Sequence, residues 1–366
     1  VISLHTSNRL EALVDAFGDM IADGTTLSPF EKEWIVVQSK GMQRWLSMRL
    51  ASRFGVWGGA EYPFPNTMVQ KLFDWIGLSD LSGTDKFSKE TICWSLMRLL
   101  PSLMEREFFT PLRSYLQNDR DGLKLFQLSG RIADTFDQYT LFRPDLLELW
   151  EAGGDKGVRD WQPELWRILT AENQEGGHRG ALKTEFCRQV RQVALPDGFP
   201  KRISLFGISS MPPYHIDILE ALATRIPVDI FLLSPTAEYW SDIVSRRRLF
   251  RMSDSERELS TEGNPLLASL GRSGREFADL LLDAAGIENE DDLYSEPGDD
   301  TLLHLLQSDM LHLRGTGEDG EPHPAPDPLD PSVQVHCCHN PLREVEVLHD
   351  NLLDLFERLP GLEPRD

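Results

Sequence analysis

The chain has 366 residues, 40% of them hydrophobic and 26% charged, with four cysteines and a formal net charge of −22. At about 100–200 residues per domain this fits a soluble α/β-sized protein of two domains and a fragment of a third. It excludes a disulfide framework, and no apolar run approaches the ~18 residues that a bilayer span needs, so a reducing cytoplasm and no membrane contact are expected.

The opening "VISLHTSN" reads as a short strand and a polar turn, without the basic start and long apolar stretch of a signal peptide. Asn8 can cap a helix to about Ala22, with Leu10, Leu13, Val14, Phe17 and Ile21 on one face. A β-rich run, Trp34 to Gln38, then meets the turn Ser39-Lys40-Gly41 and an amphipathic helix. "YPFPNT" is a Pro-broken loop in which Asn66 or Thr67 can cap the next helix. From residue 67 to about 194 the pattern is helical throughout: Ser88 caps "KETICWSLMRLL", Thr110-Pro111 reads as a cap and an N1 proline, and "GLKLFQLSGRIADTFDQYTLF" stops at Arg143-Pro144. "PELWRILTAEN" is a further helix start.

The β/α rhythm returns with the strand "RISLFGI", a helix opened by Met211-Pro212-Pro213, and the strand "PVDIFLL". Strands joined through a helix imply right-handed parallel units. The expected fold is therefore α/β, a parallel-sheet domain formed by residues 1–66 and 195–315 with an all-helical insertion at 67–194. Two helical runs, "NPLLASLGRSGREFADLLLDAAG" and "TLLHLLQSDMLHL", flank an acidic stretch, Glu288 to Asp300, that reads as a solvated loop. Residues 316–331 have the Gly/Pro/Asp content of a linker. Residues 332–366 read as a strand, a turn and a helix, the first piece of another domain.

The strand–turn–helix at residues 34–55 has the layout of a phosphate-binding loop. Such a loop needs G-x-x-x-x-G-K-[ST], glycines to curl backbone N–H groups around phosphate, a Lys, and a hydroxyl for Mg²⁺. Here only Gly41 is present, Lys40 precedes it, and Met42 or Gln43 stands at the metal position. The acidic residue expected after a later strand is missing too, since that turn reads Phe206-Gly207-Ile208-Ser209-Ser210. The shape of a nucleotide site is kept without its chemistry, and no cofactor or metal is expected.

Net charge argues against nucleic acid as a partner of the whole surface, but charge acts locally. No Asp or Glu lies between Trp34 and Ala60, where Lys40, Arg44, Arg49 and Arg53 fall. This island is either a contained polyanion site or a set of arginines in solvent or paired with distant carboxylates. "SRRRLFR" (245–251) either meets phosphate or is an exposed helix face offset by the following "DSERE". "HCCH" (336–339) reads as a packed, buried strand end, because contiguous ligands alternate faces and structural zinc pairs carry spacers. Cys93, Cys187, Trp45, Trp94 and Trp166 fit apolar helix faces and the core.

Six stretches together resemble the RecC family, gamma subunits of the RecBCD helicase–nuclease (exodeoxyribonuclease V). They are "VVQSKGMQRWLSMRLASRFG", "YPFPNTMVQKLFDW", "DTFDQYTLFRPD", "RISLFGISSMPPYHIDILEAL", "NPLLASLGRSGREFADLL" and "VQVHCCHNPLREVEVLHDNLL". The resemblance runs from end to end and implies the N-terminal third of such a subunit. It implies a P-loop, superfamily 1 helicase-like fold without an ATP site: the α/β parts as domain 1A, the helical block as domain 1B, the tail as the start of domain 2A. It further implies a non-catalytic subunit that splits forked DNA, passes the 3′ single strand through a tunnel where the octamer Chi is read, and works with RecB-type and RecD-type helicase subunits. The positions matching the tunnel wall are Gln38, Ser39, Lys40, Arg44, Phe64, Gln70, Asp134, Thr135, Asp137 and Arg143, with Arg188. Family members carry a small uncharged residue, Gln and Trp where this chain has Lys40, Arg44 and Gln70, so one aromatic platform is lost and two charges are gained. Two other readings stand beside this one. An ATP-dependent helicase with a degenerate site would bind nucleotide. A pure interaction scaffold would show no salt-dependent affinity for single strands.

Overall fold

The computed structural model describes residues 1–23, 31–78, 86–154, 160–172, 177–244, 246–253, 260–284, 286–315 and 327–363. The chain runs β1 (Ile2–Ser7), α1 (Leu10–Asp23), β2 (Glu33–Val36), α2 (Lys40–Phe54), β3 (Ala60–Glu61) and α3 (Pro65–Trp75). Six helices follow with no strand between them among the described residues: α4 (Lys89–Leu103), α5 (Thr110–Tyr115), α6 (Leu123–Phe142), α7 (Pro144–Glu151), α8 (Trp161–Glu172) and α9 (Arg179–Val190). Then come β4 (Ile203–Phe206), α10 (Pro213–Ala223), β5 (Val228–Leu233), β6 (Ile243–Val244), α11 (Arg246–Leu249), β7 (Thr261–Glu262), α12 (Pro265–Leu270) and α13 (Arg272–Asp283). The chain continues through β8 (Ile287–Asp292), α14 (Leu302–Leu311) and α15 (Pro341–Arg358).

Six strands form one parallel sheet in the order β3-β2-β4-β5-β1-β8, with β6 and β7 paired separately. Alternation along each strand feeds two cores. Trp34 and Val36 of β2 point to the face covered by α3, α9, α10 and α13, where Phe73, Phe186, Leu219 and Phe277 are buried. Ile35 and Val37 point to the opposite face, under Leu13 and Phe17 of α1 and Leu46 and Leu50 of α2. A third core, built on Phe109, Phe136 and Trp166, lies within α4 to α8 and the short turn before α5. No helix of the described residues is long and apolar enough to cross a membrane.

Several local expectations are corrected. The acidic stretch from Glu288 does not start as a loop: Ile287–Asp292 is an edge strand parallel to β1. An edge strand needs only one partner, and charged side chains there reach water and discourage further pairing. Residues 332–339 are not a strand; they join no sheet of the described residues, and Val335 is 86% exposed. His336, Cys337 and His339 are exposed, so "HCCH" is not a buried strand end, and the described residues hold no cluster able to bind a metal. Trp94 is 64% exposed rather than core, whereas Trp166 is fully buried and Trp45 packs on Phe206. Asn8 does not cap α1 but exchanges two hydrogen bonds with the Ser295 backbone. Neither Asn66 nor Thr67 caps α3, which starts at Pro65 with Phe64 at the cap position. Thr110 lies inside α5, one residue past its cap. Residues 254–259, 316–326 and Ser245 lie outside the described residues, and with them all of "DSERE" and most of the 316–331 linker.

At the amino end of the sheet, Arg202 pairs with Glu33, with side chains 16% and 9% exposed. Breaking such a pair leaves a buried charge and costs ~3–5 kcal/mol, whereas replacing both partners by apolar groups is far cheaper. Glu33→Ala should therefore lower the free energy of unfolding in urea by about 3 kcal/mol. The double variant Glu33→Met/Arg202→Met should recover most of that loss, and equal losses in both would contradict the assignment.

Candidate nucleic-acid interface

Adjacent parallel strands whose following helices pack on opposite faces leave a crevice at their carboxyl ends. Strand β2 is such a place: α2 covers one face, while α3 and α10, which follow β3 and β4, cover the other. The Val37 N–H donates to the Pro63 carbonyl at 3.3 Å, which sets Gln38 beside Phe64. The Gln38 amide donates from Nε2 to the Ser210 carbonyl at 3.0 Å, and Ser209 Oγ donates to Gln38 Oε1 at 3.3 Å. Ser39 caps α2, its Oγ accepting from the Met42 N–H at 3.0 Å. Met42 lies over Gly207, whose φ is +62°; a Cβ there would sit 3.0 Å from Met42 Cε. Met42 thus covers Gly207, while Gln38, itself exposed, bridges the turn after β2 to the turn after β4.

The basic island divides in two. Arg49 lies 4.0 Å from Glu11 and over the Trp45 ring, and Arg53 is held by Asp15 and Asp19. Lys40 and Arg44 are exposed and have no ion-pair partner among the described residues. Both sit in the first turns of α2, which has no acidic residue there. Unpaired N–H groups and the helix dipole already favour an anion at that end. Two cations beside them add to that potential.

On α3, Phe64 is 39% exposed at the mouth of the crevice, and Gln70 donates to Asp74 one turn on. Asn66 Oδ1 accepts from His215 Nε2 at 3.1 Å. His215 is buried, and that burial, helped by the nearby Arg179 guanidinium, pushes its imidazole pKa down to about 4. It is thus neutral, with Nε2 protonated. Arg179 in turn lies 3.4 Å from Asp137 of α6. Asn66 of α3 thus bonds to His215 of α10, and Arg179 of α9 pairs with Asp137 of α6. Neither His215 nor Arg179 stands out in the sequence, where each is a lone residue in a helical pattern.

The remaining expected residues are spread along this line. Asp134 pairs with Lys89 at 2.5 Å, Thr135 Oγ1 donates to the Arg131 carbonyl, and Arg143 ends α6 with Asp145 3.5 Å away. Arg188 stands apart from Arg179, nine residues along α9, or about 13 Å at 1.5 Å per residue. It holds Glu185, whose carboxyl it pulls down to about 2. Thus Gln38, Ser39, Lys40, Arg44 and Phe64 lie together at the β2 crevice, while Asp134, Thr135, Asp137 and Arg143 lie on or at the end of α6 and Arg188 on α9.

A second crevice opens where β5 and β1 part, with a cavity of about 630 Å³ lined by Asn8, Arg9, Ser234, Glu296 and His304. Its turn, Ser7-Asn8-Arg9, has no glycine, and Asn8 is locked to Ser295. Neither crevice carries a glycine-rich loop followed by Lys and a hydroxyl.

A family model described as "RecC, N-terminal domain" matches residues 2–313. The chain belongs to the RecC family. It is 38% identical to the RecBCD enzyme subunit RecC of Escherichia coli (strain K12), with 100% of this chain and 36% of that protein covered. The subunit of the same name from Haemophilus influenzae is 33% identical, covering 99% of this chain and 37% of that protein. The one from Mycolicibacterium smegmatis is 31% identical, covering 100% and 32%. The chain thus spans about a third of the length of these curated RecC relatives.

The buried His215 makes stability pH-dependent. Its ordinary pKa is 6.5, so on acidification the unfolded chain takes up the proton first. The contribution is whole above about pH 6.5 and is lost as pH falls to about 4, by up to ~3 kcal/mol. His215→Gln keeps a donor for Asn66 without titrating. Its unfolding free energy should fall less steeply than that of the native chain between pH 6.5 and 4. Parallel profiles would contradict a neutral, buried imidazole.

Proposed function

We infer that this chain is the strand-guiding part of a RecC subunit, a non-catalytic component of a RecBCD-type helicase–nuclease acting in double-strand break repair. Its working partners are forked and single-stranded DNA and RecB-type and RecD-type motor subunits. The observation that carries the reading is the capped amino end of α2, where Lys40 and Arg44 stand exposed and unpaired in an otherwise acidic chain, beside the exposed Phe64.

The sheet with helices on both faces supports a helicase-like domain 1A, formed by residues 1–66 and 195–315. The helical residues 67–194 correspond to an inserted domain 1B, residues 316–331 to a linker and 332–366 to the start of domain 2A. ATP chemistry is absent from this chain in this reading, because Gln38 bridges the two turns, Met42 covers Gly207 and no lysine–hydroxyl pair follows a glycine loop.

The geometry suits a 3′ single strand drawn across the carboxyl edge of the sheet. A phosphate rests at the α2 amino end between Lys40 and Arg44, with Ser39 fixing the turn. A base stacks on Phe64, a contact worth ~1–3 kcal/mol in single-strand binders. Gln38 and Gln70 each carry a donor and an acceptor for a base edge. Asp134 and Asp137 accept from exocyclic amines and repel bare phosphate, which turns grip into base reading. Thr135 and Arg143 extend this wall along α6, and Arg188 makes an outlying contact. Chi-type recognition is assigned to this set, with a base preference shifted by Lys40, Arg44 and Gln70.

Each phosphate contact removed should reduce the salt dependence of single-strand binding by ~0.7 in the log–log slope. Lys40→Ala/Arg44→Ala in the full-length protein should therefore lower that slope by ~1.4 and weaken binding at low salt, with the melting temperature unchanged. An unchanged slope would remove these residues from the strand path.

A further inference from the structure

Beyond Asp134 the surface of the helical block does not close. An open groove of about 740 Å³ runs along the outer ridge of α6, lined by Lys89, Tyr115, Gln127, Gly130, Arg131 and Asp134. Helices α4 and α6 are antiparallel neighbours, since Lys89 meets Asp134 at one end and Trp94 meets Phe126 at the other. Phe126 lies eight residues before Asp134, about 12 Å along the helix at 1.5 Å per residue.

The groove is furnished in a way a structural role does not require. The Arg131 side chain is exposed and has no ion-pair partner among the described residues. Tyr115 is 51% exposed, with Lys124 Nζ 5.8 Å from its ring centroid. On the α4 side, Trp94 and Phe126 are 64% and 46% exposed, with ring centroids 6.1 Å apart. A tryptophan two-thirds in water adds little to a core. Aromatic faces interleaved with cations along an open groove are the chemistry that holds single-stranded nucleic acid without reading it. The lining carries two cations, Lys89 and Arg131, against one carboxylate, Asp134.

We propose that this groove is a second, sequence-tolerant contact for the same single strand. Phosphate is held by Arg131, one base stacks on Tyr115, and a neighbouring base stacks on the Trp94–Phe126 pair. The proposal rests on the reading above, in which the strand passes Asp134. Its effect is to fix the strand on the far side of the base-reading residues, so that register is held from both ends.

The test is titration of a fluorescent oligothymidylate into the full-length protein at several salt concentrations. Tyr115→Ala and Trp94→Ala should each weaken binding about fivefold or more, and Arg131→Ala should lower the log–log salt slope by ~0.7. All three positions are exposed, so melting temperatures should not move. Lys40→Ala/Arg44→Ala is the reference. If that variant weakens binding and the three groove variants do not, the groove is not on the strand path and the proposal fails while the reading of the α2 site stands. If none of the variants changes binding, both fail. If the groove variants spare oligothymidylate binding and instead release a protein subunit from the purified complex, the groove is a protein interface and the proposal is overturned.

Discussion

A parallel sheet cannot leave either face in water, because its strands are apolar on both sides and its crossover helices must cover them. Here that requirement places α1 and α2 on one face and α3, α9, α10 and α13 on the other. Wherever neighbouring strands send their helices to opposite faces, the carboxyl edge opens. The crevice at β2 is therefore a consequence of burial. Everything attributed to function in this chain is arranged along that edge and the helices that abut it.

The contents of the crevice do not follow from burial alone. The turn after β2 and the turn after β4 face each other, as two halves of a nucleotide site would. They are joined by the Gln38 side chain to Ser209 and Ser210, and Met42 lies over Gly207. The α2 amino end with Lys40 and Arg44, and Phe64, are exposed beside them. Nearby, Asn66 of α3 bonds to His215 of α10, and Arg179 of α9 pairs with Asp137 of α6.

Much of this was legible in the sequence, for physical reasons that can be named. Strands β1, β2, β4 and β5 are apolar runs bounded by polar turns, and α6 and α10 have strong start or stop residues, such as Pro213 and the Arg143-Pro144 break. The absence of phosphate-loop chemistry was also readable, since it depends on residue identity at fixed spacing. The acidic edge strand Ile287–Asp292 was not readable, because its pairing with β1 overrides a composition that suits solvent. The failed strand at 332–339 is the converse, a strand-like composition with no partner. Trp94 was misplaced because helical periodicity sorts residues by face but does not say which faces meet another element. The division of the basic island needed coordinates, since Glu11, Asp15 and Asp19 come from α1, and only folding brings them to Arg49 and Arg53. His215 and Arg179 carry no pattern that sets them apart from ordinary helix residues.

The central claim is that this fold keeps the shape of a nucleotide site without its chemistry, with Gln38 bridging the two turns, Met42 over Gly207, and a rim that serves a nucleic-acid strand. Calorimetric titration of the 366-residue chain with ATP and Mg²⁺ tests it most directly. The account predicts no heat of binding at millimolar nucleotide. Tight binding that is lost on Lys40→Ala would contradict it, and would make the turn after β2 a working phosphate site.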